Sequence, residues 1–201
     1  MKTVHNVVFD VGRVLINFGY DDLFAMLRSR GAQIIDEADF AQKVDLIPYE
    51  HGHISDDDFL DRLAALLTNP LPKQNLAAAW NNIFDPIDDM LEFARKLNQQ
   101  CRVFMLSNTS QMHWQHLQQR YGLNEFCRDL VASYEVGVMK PAAGIYRACE
   151  ERFDICPDNT IFVDDKLDNV NGALACGWQG LHHLSSEETI SQLKRLVSFN
   201  D

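Results

Sequence analysis

A chain of 201 residues with 46% hydrophobic side chains can build one sizeable core, as a single domain with an insertion or at most two small domains. Its 29 acidic and 18 basic residues leave a formal net charge of −11, which argues against a nucleic-acid backbone or an anionic membrane surface as partner. No apolar run reaches the length of a membrane span, and MKTVHNVVFD lacks a signal-peptide pattern. Five cysteines without CxxC spacing read as reduced and mostly buried, so a cytoplasmic protein without zinc is expected.

In chain order, Val7, Val8 and Phe9 end a buried strand, and Asp10 follows it directly. DDLFAMLRSR reads as a helix with Leu23, Phe24 and Leu27 on one face. A second helix runs through Ala38, Phe40 and Val44, and a third is capped by Ser55 and repeats Phe59, Leu60, Leu63 and Leu67. NPLP interrupts the pattern, and another helix spans Leu76 to Ile83. Residues 20–83 are thus a helical block without a convincing strand.

From Asp85 onward strands and helices alternate. Pro86 starts a helix with Ile87, Met90, Leu91, Ala94 and Leu97 as its stripe, and RVFMLS is the second strand. A helix from Ser110 to Tyr121 stops at Gly122, LVAS at 130–133 is the third strand, and Pro141 begins a helix to Phe153. TIFVDD is the fourth strand, GLHHL the fifth, and the last helix occupies Glu187 to Val197. Such alternation predicts an α/β fold, a doubly wound parallel sheet with a helical cap inserted after its first strand. The expected division is a core of 1–18 and 84–201 with a cap of 19–83. Trp80, Trp114 and Trp178 read as core residues.

In open parallel sheets, ligands bind at the carboxyl ends of the strands. Four strand ends here carry chemistry. Asp10 is a candidate nucleophile or ligand, or simply a strand cap ahead of Gly12. Ser107 and Asn108 could hold a phosphate oxygen or form a polar turn. Lys140 could neutralise an anion between strand ends or lie in solvent. Asp164 and Asp165 repel one another unless a cation compensates. Mg²⁺ takes oxygen ligands, and Asp10, Asp165 and the main-chain carbonyl of Gly12 could supply three.

Asp, Ser, Lys and an Asp pair at successive strand ends resemble the haloacid dehalogenase (HAD) superfamily of phosphohydrolases over nearly the whole chain. The resemblance implies Asp10 as nucleophile, Ser107 and Lys140 as phosphate-binding groups, and Asp164 and Asp165 as the metal-binding pair, with Asp165 the direct Mg²⁺ ligand. VGVMKP is similar to the VGxxKP of the helical-cap subfamily. Most such phosphatases carry a second aspartate, the general acid and base, where this chain has Gly12. A branch resembling a sugar-1-phosphate phosphatase shares that glycine in FDxGxV, and its cap segments are similar to YEHGHIS at 49–55 and WNNIF at 80–84.

The expected reaction is hydrolysis of a small phosphate monoester, for instance a sugar phosphate, through an aspartyl phosphate on Asp10. A metal-independent 2-haloacid dehalogenase fits the acidic pair poorly, and a non-catalytic binding or regulatory protein has only Gly12 in its favour. Glu50, His51 and His53 are candidates for substrate contact in the cap turn, although the histidines could equally be exposed turn residues. With no acid at position 12, leaving-group protonation must come from water, a cap residue or the substrate.

Overall fold

The computed structural model describes residues 4–197, so the ends of the expected core segment, 1–3 and 198–201, lie outside the described residues. The strands are β1 (Asn6–Phe9), β2 (Ile16–Phe18), β3 (Phe84–Pro86), β4 (Arg102–Ser107), β5 (Leu130–Ala132), β6 (Thr160–Asp164) and β7 (Gln179–His182). Five of them form one parallel sheet of order β5-β4-β1-β6-β7. Every residue of β1 is buried, as expected of a central strand flanked on both edges and covered on both faces. In register, Phe9 lies between Met105 of β4 and Val163 of β6. The next residue, Asp10, therefore emerges beside Asp164. Because the chain leaves β1 for β4 and β5 on one side and β6 and β7 on the other, Asp10 stands where the strand order reverses.

Between β2 and β3 lie α1 (Asp21–Ser29), α2 (Glu37–Lys43), α3 (Leu46–Glu50), α4 (Asp56–Ala65) and α5 (Lys73–Asn81). The later helices are α6 (Asp88–Leu97), α7 (Gln111–Tyr121), α8 (Ser133–Val136), α9 (Ala143–Phe153), α10 (Leu167–Ala175) and α11 (Ser186–Leu196). Leu23, Phe24 and Leu27 are the buried face of α1, and Phe59, Leu60 and Leu63 that of α4. The Ser55 side chain caps α4 by accepting from Asp58 N at 3.1 Å. Three aspartates in the first turn of α4 suit the positive end of the helix dipole.

Several expectations need correction. Pro86 does not start a helix. It ends β3, which pairs antiparallel with β2, Ile16 opposite Pro86 and Phe18 opposite Phe84. Strands of three residues carry no readable alternation, and a proline is tolerated in such a short edge ribbon. Helix α9 begins at Ala143, two residues after Pro141. The five-residue α3 went unread because Pro48 lies inside it; in a first turn the missing proline N–H has no helical partner to lose. The cysteines are all free, but only Cys149 and Cys176 are buried, and Cys156 is exposed. No helix among the described residues is long and apolar enough to cross a membrane.

An aromatic cluster joins the helical block to the sheet. Trp80 of α5 is fully buried, with ring centroids 4.8 Å from Phe59, 6.0 Å from Tyr20 and 4.2 Å from His113 of α7. Burial pushes the His113 pKa down to about 3, so its neutral ring pairs with the Trp80 carbonyl at 3.1 Å. Trp114 and Trp178 are buried too, as expected. Trp80→Ala removes the largest side chain of this joint, and stability should fall by about 3–5 kcal/mol in urea unfolding. A loss well under 1 kcal/mol would show that the helical block is held by other contacts.

Candidate active site

The ammonium of Lys140 is the centre of the site. It lies in the segment between α8 and α9, is only 5% exposed, and is 2.8 Å from both Asp10 Oδ1 and Asp164 Oδ2. Its third N–H reaches the Leu106 carbonyl of β4 at 3.1 Å. Burial lowers the lysine pKa, but the two carboxylates outweigh it and hold the group above its ordinary value. A lysine has three N–H donors, and all three are engaged by protein oxygens. Lys140 therefore neutralises and orients the carboxylates, and the expected direct phosphate contact is not available while those bonds persist.

Asn108 is likewise engaged. Its Oδ1 accepts from Lys140 N at 2.8 Å and its Nδ2 donates to the Lys140 carbonyl at 3.1 Å. This two-point brace sets the lysine backbone and uses one of the two Nδ2 hydrogens, so Asn108, which lines the cavity, keeps one N–H for an anion. Ser107, the last residue of β4, is 4% exposed, and its hydroxyl has no protein partner among the described residues. It remains free for an anion.

The three carboxylates differ in the same way. Asp164 is fully buried: Asn169 Nδ2 reaches both of its oxygens at 3.0 Å, Lys166 N adds a bond to Oδ1, and Lys140 takes Oδ2. Asp10 receives Val11 N (2.6 Å) and Lys140 on the same oxygen, Oδ1, which leaves Oδ2 without a protein donor among the described residues. Asp165 is partly buried and its carboxylate is also unpaired, while its main-chain carbonyl accepts from His182 Nε2 at 2.9 Å. One oxygen from each of the three lies within 4.8 Å of the others. Burial raises the pKa of Asp10 to about 7, against the opposing pull of Lys140 and with help from Asp164 and Asp165. Asp165 is raised as well, by burial and by the charge of Asp164. Fully ionised, three carboxylates against one ammonium would leave two negative charges, which a divalent cation balances, and Asp10 and Asp165 offer the hard oxygen donors such a cation takes.

Above this floor opens a cavity of about 580 Å³ with an aromatic wall that includes Phe18, Tyr20, Phe40 and Phe84. Gly12 lies in the wall, and a Cβ there would come 3.1 Å from Phe18 Cε1. The Phe18 ring, stacked under the Arg13 guanidinium at 4.7 Å, thus crowds the space that an acid at position 12 would enter. Arg13 itself holds a left-handed backbone, φ 58°, at the cavity edge. The cap-turn expectation divides. Glu50, at the end of α3, lines the cavity, and burial lifts its pKa to about 7 against Lys166 and Lys140. His51 pairs with the Ile47 carbonyl and stacks on the exposed His53, and neither lines the cavity.

Arg13, Tyr20, Ser133 and Asn169 went unread in the sequence. Only Asn169 had a usable signal, as a polar residue on the first turn of α10 five positions after Asp164. Lys140→Met would strand two buried carboxylates. Unfolding in urea without added metal should show a loss of about 3–5 kcal/mol, the usual cost of breaking a buried ion pair from one side. A variant as stable as the parent would remove Lys140 from the centre of the site.

The model of the haloacid dehalogenase-like hydrolase family matches residues 4–177. The D-ribitol-5-phosphate phosphatase of Bacteroides thetaiotaomicron is 27% identical over 185 residues, covering 88% of this chain and 90% of that protein. The sesquiterpene phosphatase astK of Aspergillus oryzae is 30% identical over 200 residues, covering 97% of both. A solved HAD family enzyme from Bacteroides thetaiotaomicron, in complex with magnesium and inorganic phosphate, is 26% identical with a TM-score of 0.81, over 89% of this chain and 93% of that one. With a family model spanning most of its length and relatives aligned almost end to end, the chain belongs to the haloacid dehalogenase-like hydrolases.

Proposed function

We propose that this chain is a Mg²⁺-dependent phosphatase that hydrolyses a small phosphate monoester, with sugar phosphates as the first class to test, through an aspartyl phosphate on Asp10. The observation that carries this reading is the unequal use of the carboxylates: Asp164 is saturated, whereas Asp10 Oδ2 and Asp165 are left open beside a buried ammonium. The phosphatase names of the relatives, and the magnesium and phosphate bound by a solved one, support it.

Asp10, Asp165 and the carbonyl of Gly12 would hold Mg²⁺, with Asp164 behind them. Bound there, the cation supplies positive charge against the phosphoryl oxygens. The Asp10 carboxylate attacks phosphorus through the oxygen not given to the cation, the P–O bond to the leaving alcohol breaks, and the bonds from Lys140 and Val11 N hold the carboxylate in one geometry. The Ser107 hydroxyl donates to a phosphoryl oxygen. Water then attacks phosphorus and loses its proton, the P–O bond of the Asp10 acyl phosphate breaks, the Asp10 carboxylate is restored, and inorganic phosphate leaves. Residues 19–83 act as the cap, and their aromatic side chains meet the organic part of the ester.

Phosphate release should be measured over sugar phosphates, prenyl phosphates, nucleotides and aryl phosphates, with Mg²⁺ or EDTA. Turnover that needs Mg²⁺ and falls to background in Asp10→Asn is expected. Full activity in EDTA contradicts the metal role, and chloride release from a 2-haloacid in EDTA would replace the reading with dehalogenation. Asp165→Ala should weaken Mg²⁺ more than Asp164→Ala does, read as the loss of a metal-induced stabilisation of about 2.7 kcal/mol at a hundredfold excess over Kd. Equal loss in both variants would contradict the ranking of the two aspartates.

A further inference from the structure

A phosphatase without an acid at position 12 still has to protonate the oxygen that leaves. Within the cavity, Asp10 and Asp165 belong to the acidic cluster, and Asp164 is saturated. His113 is committed to the Trp80 carbonyl, and the Tyr20 hydroxyl, its pKa raised by burial, is a poor proton donor. Glu37 lines the cavity from an exposed position. Glu50 is different: its carboxyl has no hydrogen-bond partner among the described residues, and it lies within electrostatic reach of Lys140 and Lys166 at the polar floor.

The position of Glu50 is also fixed from the core side. Its main-chain carbonyl accepts from Ser133 Oγ at 2.6 Å, and that same hydroxyl accepts from Thr109 N at 3.0 Å. Two residues on, Gly52 has φ 75°, and a Cβ there would come 2.3 Å from the Tyr134 carbonyl, so only glycine allows this approach. The cap turn is thereby clamped to α8 and to the loop that follows Ser107. An unpartnered carboxyl on a clamped turn, facing the cavity above Asp10, is a placed group.

We infer that the Glu50 carboxyl takes over the general acid and base role that Gly12 cannot perform, an inference that rests on the phosphatase reading. In the first step a bond forms between an Asp10 carboxylate oxygen and phosphorus, the P–O bond to the leaving group breaks, and the Glu50 proton passes to that oxygen, releasing the alcohol. In the second step the Glu50 carboxylate takes a proton from the water that attacks phosphorus, the Asp10–P bond breaks, and the acid form is restored. A pKa near 7, set by burial against the two lysines, suits a group that must give and take a proton near neutrality.

The test compares Glu50→Gln with the parent on p-nitrophenyl phosphate, whose leaving group needs little protonation, and on a sugar-alcohol phosphate, whose leaving group needs it. Inorganic phosphate inhibition and circular dichroism report whether the variant keeps its floor and its fold. The parent should depend weakly on leaving-group basicity. In Glu50→Gln, kcat/KM on the sugar-alcohol ester, which reports the first step alone, should fall by ~10²–10⁴-fold, with kcat/KM on p-nitrophenyl phosphate changed only a few-fold and phosphate inhibition preserved. Equal loss of kcat/KM on both esters, or no loss on either, overturns the inference. A parent that releases phosphate from no ester overturns the phosphatase reading itself, and a parent already steep in leaving-group basicity overturns only the role of Glu50.

Discussion

One buried ammonium organises this molecule. Lys140 ties the residue that follows β1, the last residue of β6 and the backbone of β4 to a single point, so three strands of the sheet end in register around one charge. A lone buried ammonium or carboxylate would cost several kcal/mol in desolvation, and each group here is tolerable only because the others are present. That mutual dependence explains the supporting bonds. Asn108 braces the lysine backbone at both its N–H and its carbonyl, and Asn169 and Lys166 N complete Asp164. What the network leaves unsatisfied is small and local: one oxygen of Asp10, the carboxylate of Asp165 and the hydroxyl of Ser107. The reactive character of the site follows from these remainders.

The space above the floor has a second character. Its walls are apolar, aliphatic side chains with Phe18, Tyr20, Phe40 and Phe84 among them from the β2–β3 ribbon and the helices between its strands, and the aromatic part continues into the cluster around Trp80. The neutral, buried His113 joins that cluster to α7, so the helical block and the sheet share one apolar core. A polar floor under an apolar wall separates two tasks. In the proposed reaction the charged groups at the strand ends would deal with the phosphoryl group, and the inserted helices would meet whatever it is attached to. The same insertion delivers Glu50, clamped through Ser133 to the loop at the end of β4.

Much of this was legible in the residues because it rests on local patterns. The buried run ending at Phe9, the strand–helix alternation after Asp85 and the Ser55 cap each have a period or a capping rule behind them, and all appear in the structure. The family motifs brought Asp10, Ser107, Lys140 and the Asp164–Asp165 pair to one end of the sheet, where they lie. What escaped were features whose cause is tertiary. Three-residue strands such as β2 and β3 exist only because they pair, and Pro48 hid α3. That Asn108 and Lys140 bind protein oxygens depends on distances no spacing rule encodes. Glu50 and His51 are neighbours in a polar turn, and only the docking of that turn sends one into the cavity and leaves the other outside.

The central claim is that Asp10 forms a covalent bond to phosphorus. It is tested most directly by quenching the enzyme in acid during turnover of a phosphate ester and mapping phosphorylated peptides by mass spectrometry. A phosphoryl group on Asp10, absent when substrate is omitted and absent from Asp10→Asn, is the predicted result. Phosphate release at full rate with no adduct on Asp10 at any quench time, under conditions where hydrolysis of the intermediate has been made limiting, would contradict the account.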